Sequence, residues 1–364
     1  MQEDFHYYAT YSAAYIAGFS HEESMIIAFC DNFTDSCTHT FLNKIGGPHL
    51  AQTTQLTLEM ADTRTDALGL QMISRTWASF HFLPGDLYAE VKGSKKYKDK
   101  YRLICNPNSD LVVKTVNLAK GKDLSAIGLS MHILSDTWAH RYFAGTPSLV
   151  INNVPPNVYE IFPDGHEELL EFWSKPGRKE DVDKRNYINS IFQPSENSVM
   201  NLGHGRCGHL PDYSFIRYKY MPAWKNYDEV IKDNPSDYMH AFTQMIYALK
   251  FLRGNEPFFE KDHYDTEAIS KWKDEITSIF EKRQINSNED WKKFGEKLTG
   301  KSIPDYDPDR FNDEYMNASE DEKPETVLGK FFNAAISQKA MVTDEVFKSG
   351  NKLLGISKKV RKEK

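Results

Sequence analysis

Long apolar runs are missing from this sequence. Nowhere do about 18 apolar residues stand together, so a bilayer-spanning helix is not expected. The opening residues, Met1-Gln2-Glu3-Asp4-Phe5-His6, carry neither the basic nor the apolar stretch of a secretory signal, and a cytoplasmic location is the expectation. Cysteine is scarce: Cys30, Cys37, Cys105 and Cys207 lack CxxC spacing, which argues against a zinc knuckle or a disulfide framework and for reduced, structural thiols. With 20 Gly and 16 Pro in 364 residues the chain is neither collagen-like nor low-complexity, and no internal repeat is visible. An excess of positive charge is absent too. The 45 Lys and Arg against 52 Asp and Glu leave a net charge of −7, which offers no field for duplex nucleic acid while leaving a nucleotide-sized substrate open.

What is present is helical periodicity in a chain long enough for one large core or two moderate ones. An aromatic and Ala-rich pattern from Glu3 to Ala17 closes at Gly18, as a helix C-cap does. Ser20 and Glu23 have capping-box spacing ahead of Met25-Ile26-Ile27-Ala28-Phe29, which predicts a second helix carrying Asp31 and Asp35 near its end. A third helical stretch is expected over Thr65 to Phe82, and Asp123 is a suitable N-cap for a helix from Leu124 to Phe143 with a broad apolar stripe. Residues 144–201 turn to Pro, Asn, Gly and charge, and read as a long excursion, a lid or a wall beside a site. A helix with Pro235 at its first position runs from Asn234 to Gly254. Beyond it, amphipathic stretches near 266–283, 288–298 and 324–340 suggest an accessory helical region, giving a division at 1–255 and 256–364. The basic tail, Lys358 to Lys364, reads as a solvated end rather than a lipid-binding or nucleic-acid-binding segment. The fold class is therefore mainly α.

Chemistry concentrates in His and Asp. His132, Asp136 and His140 fall at i, i+4 and i+8, so on one helix they share a face within about 80°. Imidazole nitrogen and carboxylate oxygen are donors that zinc accepts, and Asp136 is able to bridge two ions. The same three residues equally describe core histidines hydrogen-bonded to a carboxylate. His6 lies in Asp4-Phe5-His6 and Asp35 at the end of Asp31-to-Asp35; both suit a ligand, or a satisfied core His and a solvated Asp. His81 is flanked by Trp77, Phe80 and Phe82, and a buried imidazole needs a carboxylate or a metal as partner. In Gly203-His204-Gly205-Arg206-Cys207-Gly208-His209-Leu210-Pro211-Asp212, glycines permit close backbone approach to an ion or phosphate beside His204, His209 and Asp212. Tyr213, Arg217, Tyr218, Lys219 and Tyr220 follow, to line a groove or cover the core. Arg141 and Arg206 are candidates for bidentate contact with phosphate.

The order of these residues resembles the zinc-dependent phospholipase C and P1-type nuclease superfamily of helical phosphodiesterases with three zinc ions. The resemblance implies that His6 is the first His ligand, Asp35 the Asp and His81 the next His. His132 and Asp136 then form the His-xxx-Asp core and His140 the following His, with His204 or His209 and Asp212 as the final pair. Asp4-Phe5-His6-Tyr7-Tyr8, Ser135-Asp136-Thr137-Trp138-Ala139-His140 and Gly203-His204-Gly205 also resemble an uncharacterised bacterial family of helical metal-binding proteins, over about residues 1–255. Three departures stand out. The gap after Asp136 is shorter than the superfamily's, the final pair is not His-xxx-Glu, and Met1 stands where a mature N-terminal Trp is usual.

The resemblance implies a helical bundle of that type and a phosphoesterase holding two or three ions, zinc first and Mn²⁺, Fe or Mg²⁺ as alternatives. Asp35 and Asp136 would bind metal and orient the attacking water. Expected substrates are a small phosphoester, a nucleotide or a phospholipid. Two other readings stay open: an HD-type metal phosphohydrolase acting on nucleotides, against which the chain shows no adjacent His-Asp pair, and a non-catalytic metal-binding helical interaction protein.

Overall fold

The computed structural model describes residues 1–63, 67–173, 179–190 and 196–356, so the basic tail and residues 175–177 lie outside the described residues. The architecture is mainly helical. A π-helical turn, Asp4–Ala9, runs into α1 (Thr10–Ile16), and α2 (His21–Phe33) follows. Next come α3 (Ala67–Phe80), α4 (Asp110–Ala119) and α5 (Leu124–Ala139). After an irregular and stranded stretch the chain returns to helix in α6 (Asn234–Arg253), α7 (Lys273–Glu281), α8 (Asn288–Thr299) and α9 (Val327–Lys348). No helix among the described residues is long and apolar enough to cross a membrane.

Local chemistry sets the helix limits. Ser20 and Glu23 form the full capping box of α2, and Asp123 caps α5 by accepting from Ala126 N at 3.0 Å. The first helical segment is split where one helix from Glu3 to Ala17 was expected: its opening turn is π and only Thr10 onward is α. Helix α5 stops at Ala139 rather than Phe143, because His140 takes a non-helical ψ of 11° and Tyr142 a positive φ of 82°. His140 therefore sits at the C-cap, just beyond the helix that bears His132 and Asp136.

The helical reading did not foresee the strands. Tyr159–Ile161 (β1), Glu167–Leu169 (β2), Arg217–Tyr220 and Val230–Asp233 form an antiparallel sheet, and Glu171–Trp173 (β3) pairs in parallel with Asn186–Ile188 (β4). With Arg217–Tyr220 as β5 and Val230–Asp233 as β6, the first sheet has the order β2-β1-β5-β6. Its hairpin signal is in the sequence at Phe162-Pro163-Asp164-Gly165-His166, a turn chemistry in which Gly165 adopts φ 87° and Gly165 N bonds Phe162 O. In β5, Tyr218 and Tyr220 are buried while Arg217 is exposed, so these tyrosines cover a core.

One hydrophobic cluster runs from Met1 and Phe5 through α2, α5 and α6 to Phe331 and Leu354 of the C-terminal part. A second lies under the sheet, around Phe82, Phe143, Tyr213 and Tyr218. Residue 255 thus marks no break in the core: α7, α8 and α9 bury their apolar faces on the N-terminal helices, and the C-terminal region is integral. It also holds the first turn in place, since Asp4 Oδ2 accepts from Ser287 N at 2.8 Å and Phe5 stacks on Phe280. Arg283 ties the sheet to this bundle through a fork onto Glu160, at 2.5 and 3.0 Å, and a bond to Val182 O. All four cysteines are free and buried.

Helices α2 and α5 pack in direct backbone contact, and Gly128 makes it possible. A Cβ at Gly128 would stand 2.7 Å from Cys30 Cβ and 3.0 Å from Asp31 N, and closer still to Ile27 O. Glycine costs a mid-helix position about 0.5–1 kcal/mol relative to Ala, yet here the backbone of α2 occupies the space a methyl group needs. The Gly128→Ala variant is therefore expected to lose about 1–3 kcal/mol, measured as a lower urea midpoint. An unchanged or raised midpoint would show that the two helices have room to part.

Candidate metal centre

The centre forms where α5, the end of α2, the opening π turn and the loops after α3 and β4 converge. Asp136 is at its middle, fully buried. Its Oδ1 lies 2.7 Å from the Met1 α-amino nitrogen and 3.3 Å from His6 Nε2. Its Oδ2 lies 3.2 Å from both His81 Nδ1 and His132 Nε2, and 3.5 Å from His140 Nδ1. Asp35 stands just beyond α2, with Oδ1 3.6 Å from His81 Nδ1 and 3.8 Å from His132 Nε2, and Oδ2 4.0 Å from His6 Nε2. Its side chain is 41 % exposed and opens the cluster to solvent. On the opposite flank, Asp212 Oδ1 is 3.4 Å from His140 Nε2 and its Oδ2 is 3.6 Å from His204 Nε2.

Three groups have donor atoms within 4.8 Å of one another: His6, Asp35 and His132; His81, His132 and Asp136; and His140, His204 and Asp212. Two ligands of one zinc lie at most about 4.4 Å apart, so small side-chain rotations bring each group to coordination distance. Because His132 belongs to two groups, the three mark at least two places for an ion.

The orientation of the imidazoles fits metal. His140 Nδ1 bonds His81 O at 2.7 Å, His204 Nδ1 bonds Gly208 O at 2.7 Å, and His81 Nε2 bonds Thr53 O at 3.0 Å. A carbonyl only accepts, so these ring nitrogens donate, and the second nitrogen of each ring faces a carboxylate. The Gly208 carbonyl is presented by a backbone at φ 59°, where a Cβ would collide with Ile188. His6 Nδ1 is fixed 2.7 Å from Asp31 Oδ1, and His132 Nδ1 lies 3.3 Å from the same oxygen, while Thr10 Oγ1 donates to Asp31 Oδ2 at 2.6 Å. His6 Nε2 and Asp212 Oδ1, both shut away from solvent, have no hydrogen-bond partner among the described residues. Buried polar atoms left without a bond inside a ring of donors are what a cation would satisfy.

Of the residues singled out in the sequence, His6, Asp35, His81, His132, Asp136, His140, His204 and Asp212 are brought together. His209 is not in any of the three groups: its side chain is 58 % exposed and Nδ1 reaches Asp212 Oδ2 at 3.3 Å. The two arginines turn to other partners. Arg141 lies over the Tyr142 ring and 3.9 Å from Asp237, and Arg206 donates to Asn201 Oδ1 at 3.0 Å. Two members escaped the sequence reading as parts of the centre. Asp31 is a carboxylate one helical turn before Asp35, and its signal was the shared helix end. The Met1 nitrogen carries no residue-type signal.

Among known families, the match spans residues 1–346. The chain belongs to DUF6765, a family of unknown function. Comparison with curated proteins and with solved structures gave no match. The reading of this DUF6765 chain therefore rests on its own geometry.

Electrostatics divide the centre. Burial opposes charge on His132, but Asp136 and Asp35 outweigh it and hold the imidazolium up to about 10. Burial likewise opposes charge on the Met1 amine, yet Asp136 and Asp212 raise it to about 11. Burial pushes His204 down to about 4 and lowers His81. Against burial, His140, the Met1 amine and His132 keep Asp136 well below the usual carboxylate range. For ion-free protein, the raised His132 contributes stability that is complete below its ordinary value of about 6.5 and is lost as pH rises through about 10. The lowered His204 contributes stability that is present above about 6.5 and is lost as pH falls through about 4, and the lowered His81 acts in the same direction. Thermal midpoints with chelator should thus peak near pH 6.5. A bound cation requires His132 to shed its proton, so saturating zinc should instead raise the midpoint from about pH 6.5 to about 8.5 and release protons on binding. Parallel pH profiles with and without zinc would contradict this assignment.

Proposed function

We propose that the protein is a metal-dependent phosphoesterase, with zinc as the fitting metal, that hydrolyses a phosphodiester or phosphomonoester. The observation that carries the reading is the convergence of eight His and Asp side chains from distant segments into three donor groups, two of them sharing His132, with imidazoles whose outer nitrogens are tied down. The sequential order of those donors, which resembles that of the zinc-dependent phospholipase C and P1-type nucleases, supports phosphoester chemistry within a helical bundle of that type.

Zinc ions held by these groups would supply Lewis acidity toward a phosphoryl oxygen and lower the pKa of a water toward neutrality. The rest is done by the chain. His6, His81 and His132 hold the inner side, and His140, His204 and Asp212 the other. Asp136 lies between them, with Oδ1 toward His6, Oδ2 toward His81 and His132, and Oδ2 3.5 Å from His140 Nδ1. Asp35, the member open to solvent, faces arriving water and is placed to orient it and accept its proton. Phe82 stacks on His140 with ring centroids 4.6 Å apart, and Trp77 lies 5.0 Å from His81, so aromatic rings back the outer imidazoles and exclude water behind them.

The test is metal analysis of protein purified without chelator, followed by hydrolysis of bis(p-nitrophenyl) phosphate and p-nitrophenyl phosphate. More than one equivalent of metal is expected, with activity abolished by chelator and restored by zinc. The Asp136→Ala variant should lose most of the metal. The Asp35→Asn variant should keep its fold and lose about 10²–10⁴ in kcat. Protein that carries no ion would end the metal reading. Protein that carries ions yet cleaves no mono- or diester would leave the non-catalytic metal-binding alternative.

A further inference from the structure

Away from the His and Asp cluster, a cleft of about 390 Å³ opens between α4, α5 and α9. Ala126, Leu129, Ser130 and Ile133 of α5 line it, and at 100° per residue they project about 60° to 160° away from His132. Its volume falls in the range of small-molecule sites. It exists because the three helices present small side chains to one another: Ala119 on α4, Ala126 and Ser130 on α5, Ala334 and Ser337 on α9. Leu118, half-buried, belongs to none of the hydrophobic clusters and is left lining this space.

The polar groups at its base define a ligand. Gln338 is buried at 2 % exposure, and its Nε2 donates to Ser79 O at 3.2 Å and Thr115 Oγ1 at 2.9 Å. Ser79 O is a backbone carbonyl in the last turn of α3 and only accepts, which fixes the amide orientation. Gln338 Oε1 is then an acceptor with no partner among the described residues, on a side chain that lines the cleft. Thr115 Oγ1 accepts from Gln338, so its own proton is free to be donated, and Thr115 lines the same space. The base thus offers one acceptor and one donor side by side. Aliphatic groups of Ala119, Ala126, Leu129, Ile133 and Ala334 line the space above, the charged Lys122, Asp123, Glu325 and Lys330 and the amide of Asn333 complete the lining, with Lys122, Glu325 and Asn333 exposed, and no aromatic ring, histidine or cysteine is among them.

We infer that this cleft binds a small aliphatic molecule bearing a primary amide or a hydroxyl, whose N–H or O–H donates to Gln338 Oε1 while its oxygen accepts from Thr115. At roughly 30 Å³ per non-hydrogen atom the space takes on the order of a dozen such atoms. A ring-bearing ligand finds nothing to stack on, and a metal ion finds no imidazole or thiolate. The site is separate from the phosphoesterase reading and stands whether or not that reading holds.

Octanamide and octanol are the probes, with methyl octanoate as a chain of similar length that accepts but does not donate. Calorimetric titration of the full chain should show saturable binding of octanamide and octanol, and at least about tenfold weaker binding of methyl octanoate. The Ala126→Leu variant fills the cleft without touching the Gln338 network and should lose binding of all three while retaining its helical circular dichroism. The Gln338→Leu variant, if folded, should bind methyl octanoate and octanamide alike. Failure of both donor probes to bind saturably, equal affinity for methyl octanoate in the unaltered protein, or undiminished binding to folded Ala126→Leu would each overturn the inference. If Ala126→Leu does not fold, Ala334→Leu fills the same space from the facing helix and is read the same way.

Discussion

The centre of this molecule depends on one buried carboxylate. Asp136 has essentially no access to water, and an isolated charge there would be unsustainable; it persists because cations and imidazoles approach both of its oxygens. That requirement gathers the chain. The opening turn must reach α5 to bring Met1 and His6 to Oδ1, and the segment after α3 must bring His81 to Oδ2. A carboxylate so surrounded is a costly way to stabilise a fold, since removing one partner of a buried pair typically costs about 3–5 kcal/mol and an apolar replacement of the whole is often neutral. The arrangement makes sense as a site more readily than as a core.

Around that point the packing supplies precision. Gly128 lets α2 lie against α5 closely enough for Asp31, which also holds His6, to stand beside His132, one turn further along. The C-terminal helices fasten the opening turn through Ser287 and Phe280, so a residue 283 positions from Asp4 in sequence helps fix the turn that carries His6. On the other flank, Asn234 Nδ2 donates to Leu210 O and Tyr213 O, at 2.8 and 2.7 Å, and so holds the turn that presents Asp212. Imidazoles tied to carbonyls, carboxylates tied by a hydroxyl and turns tied by a buried amide together limit the freedom of the donors before any ion arrives.

Much of this was legible in the residues. Capping chemistry located the starts of α2 and α5, and i, i+4 spacing placed His132 and Asp136 on one face. The strands were less legible for a physical reason: they are three or four residues long, too short for periodicity to show, and the Pro163-Asp164-Gly165 turn was their one local signal. Between His204 and His209, spacing alone did not choose. What chose was the Gly208 carbonyl, which turns His204 inward while His209 remains at the surface. Where the C-terminal helices pack was not legible either, because amphipathic helices declare that a face must be buried, not against what.

By itself, then, the sequence determined the helical class, the caps and the identity of the His and Asp residues able to act as donors, because these follow from periodicity and side-chain chemistry within a few residues. Tertiary structure decided which donors meet, which nitrogen of each ring is left free, that Asp31 and the Met1 amine join them, and that a second, aliphatic cleft lies on another side of α5. Those outcomes depend on distances between segments far apart in the chain, and distances of that kind are set by packing rather than by local pattern.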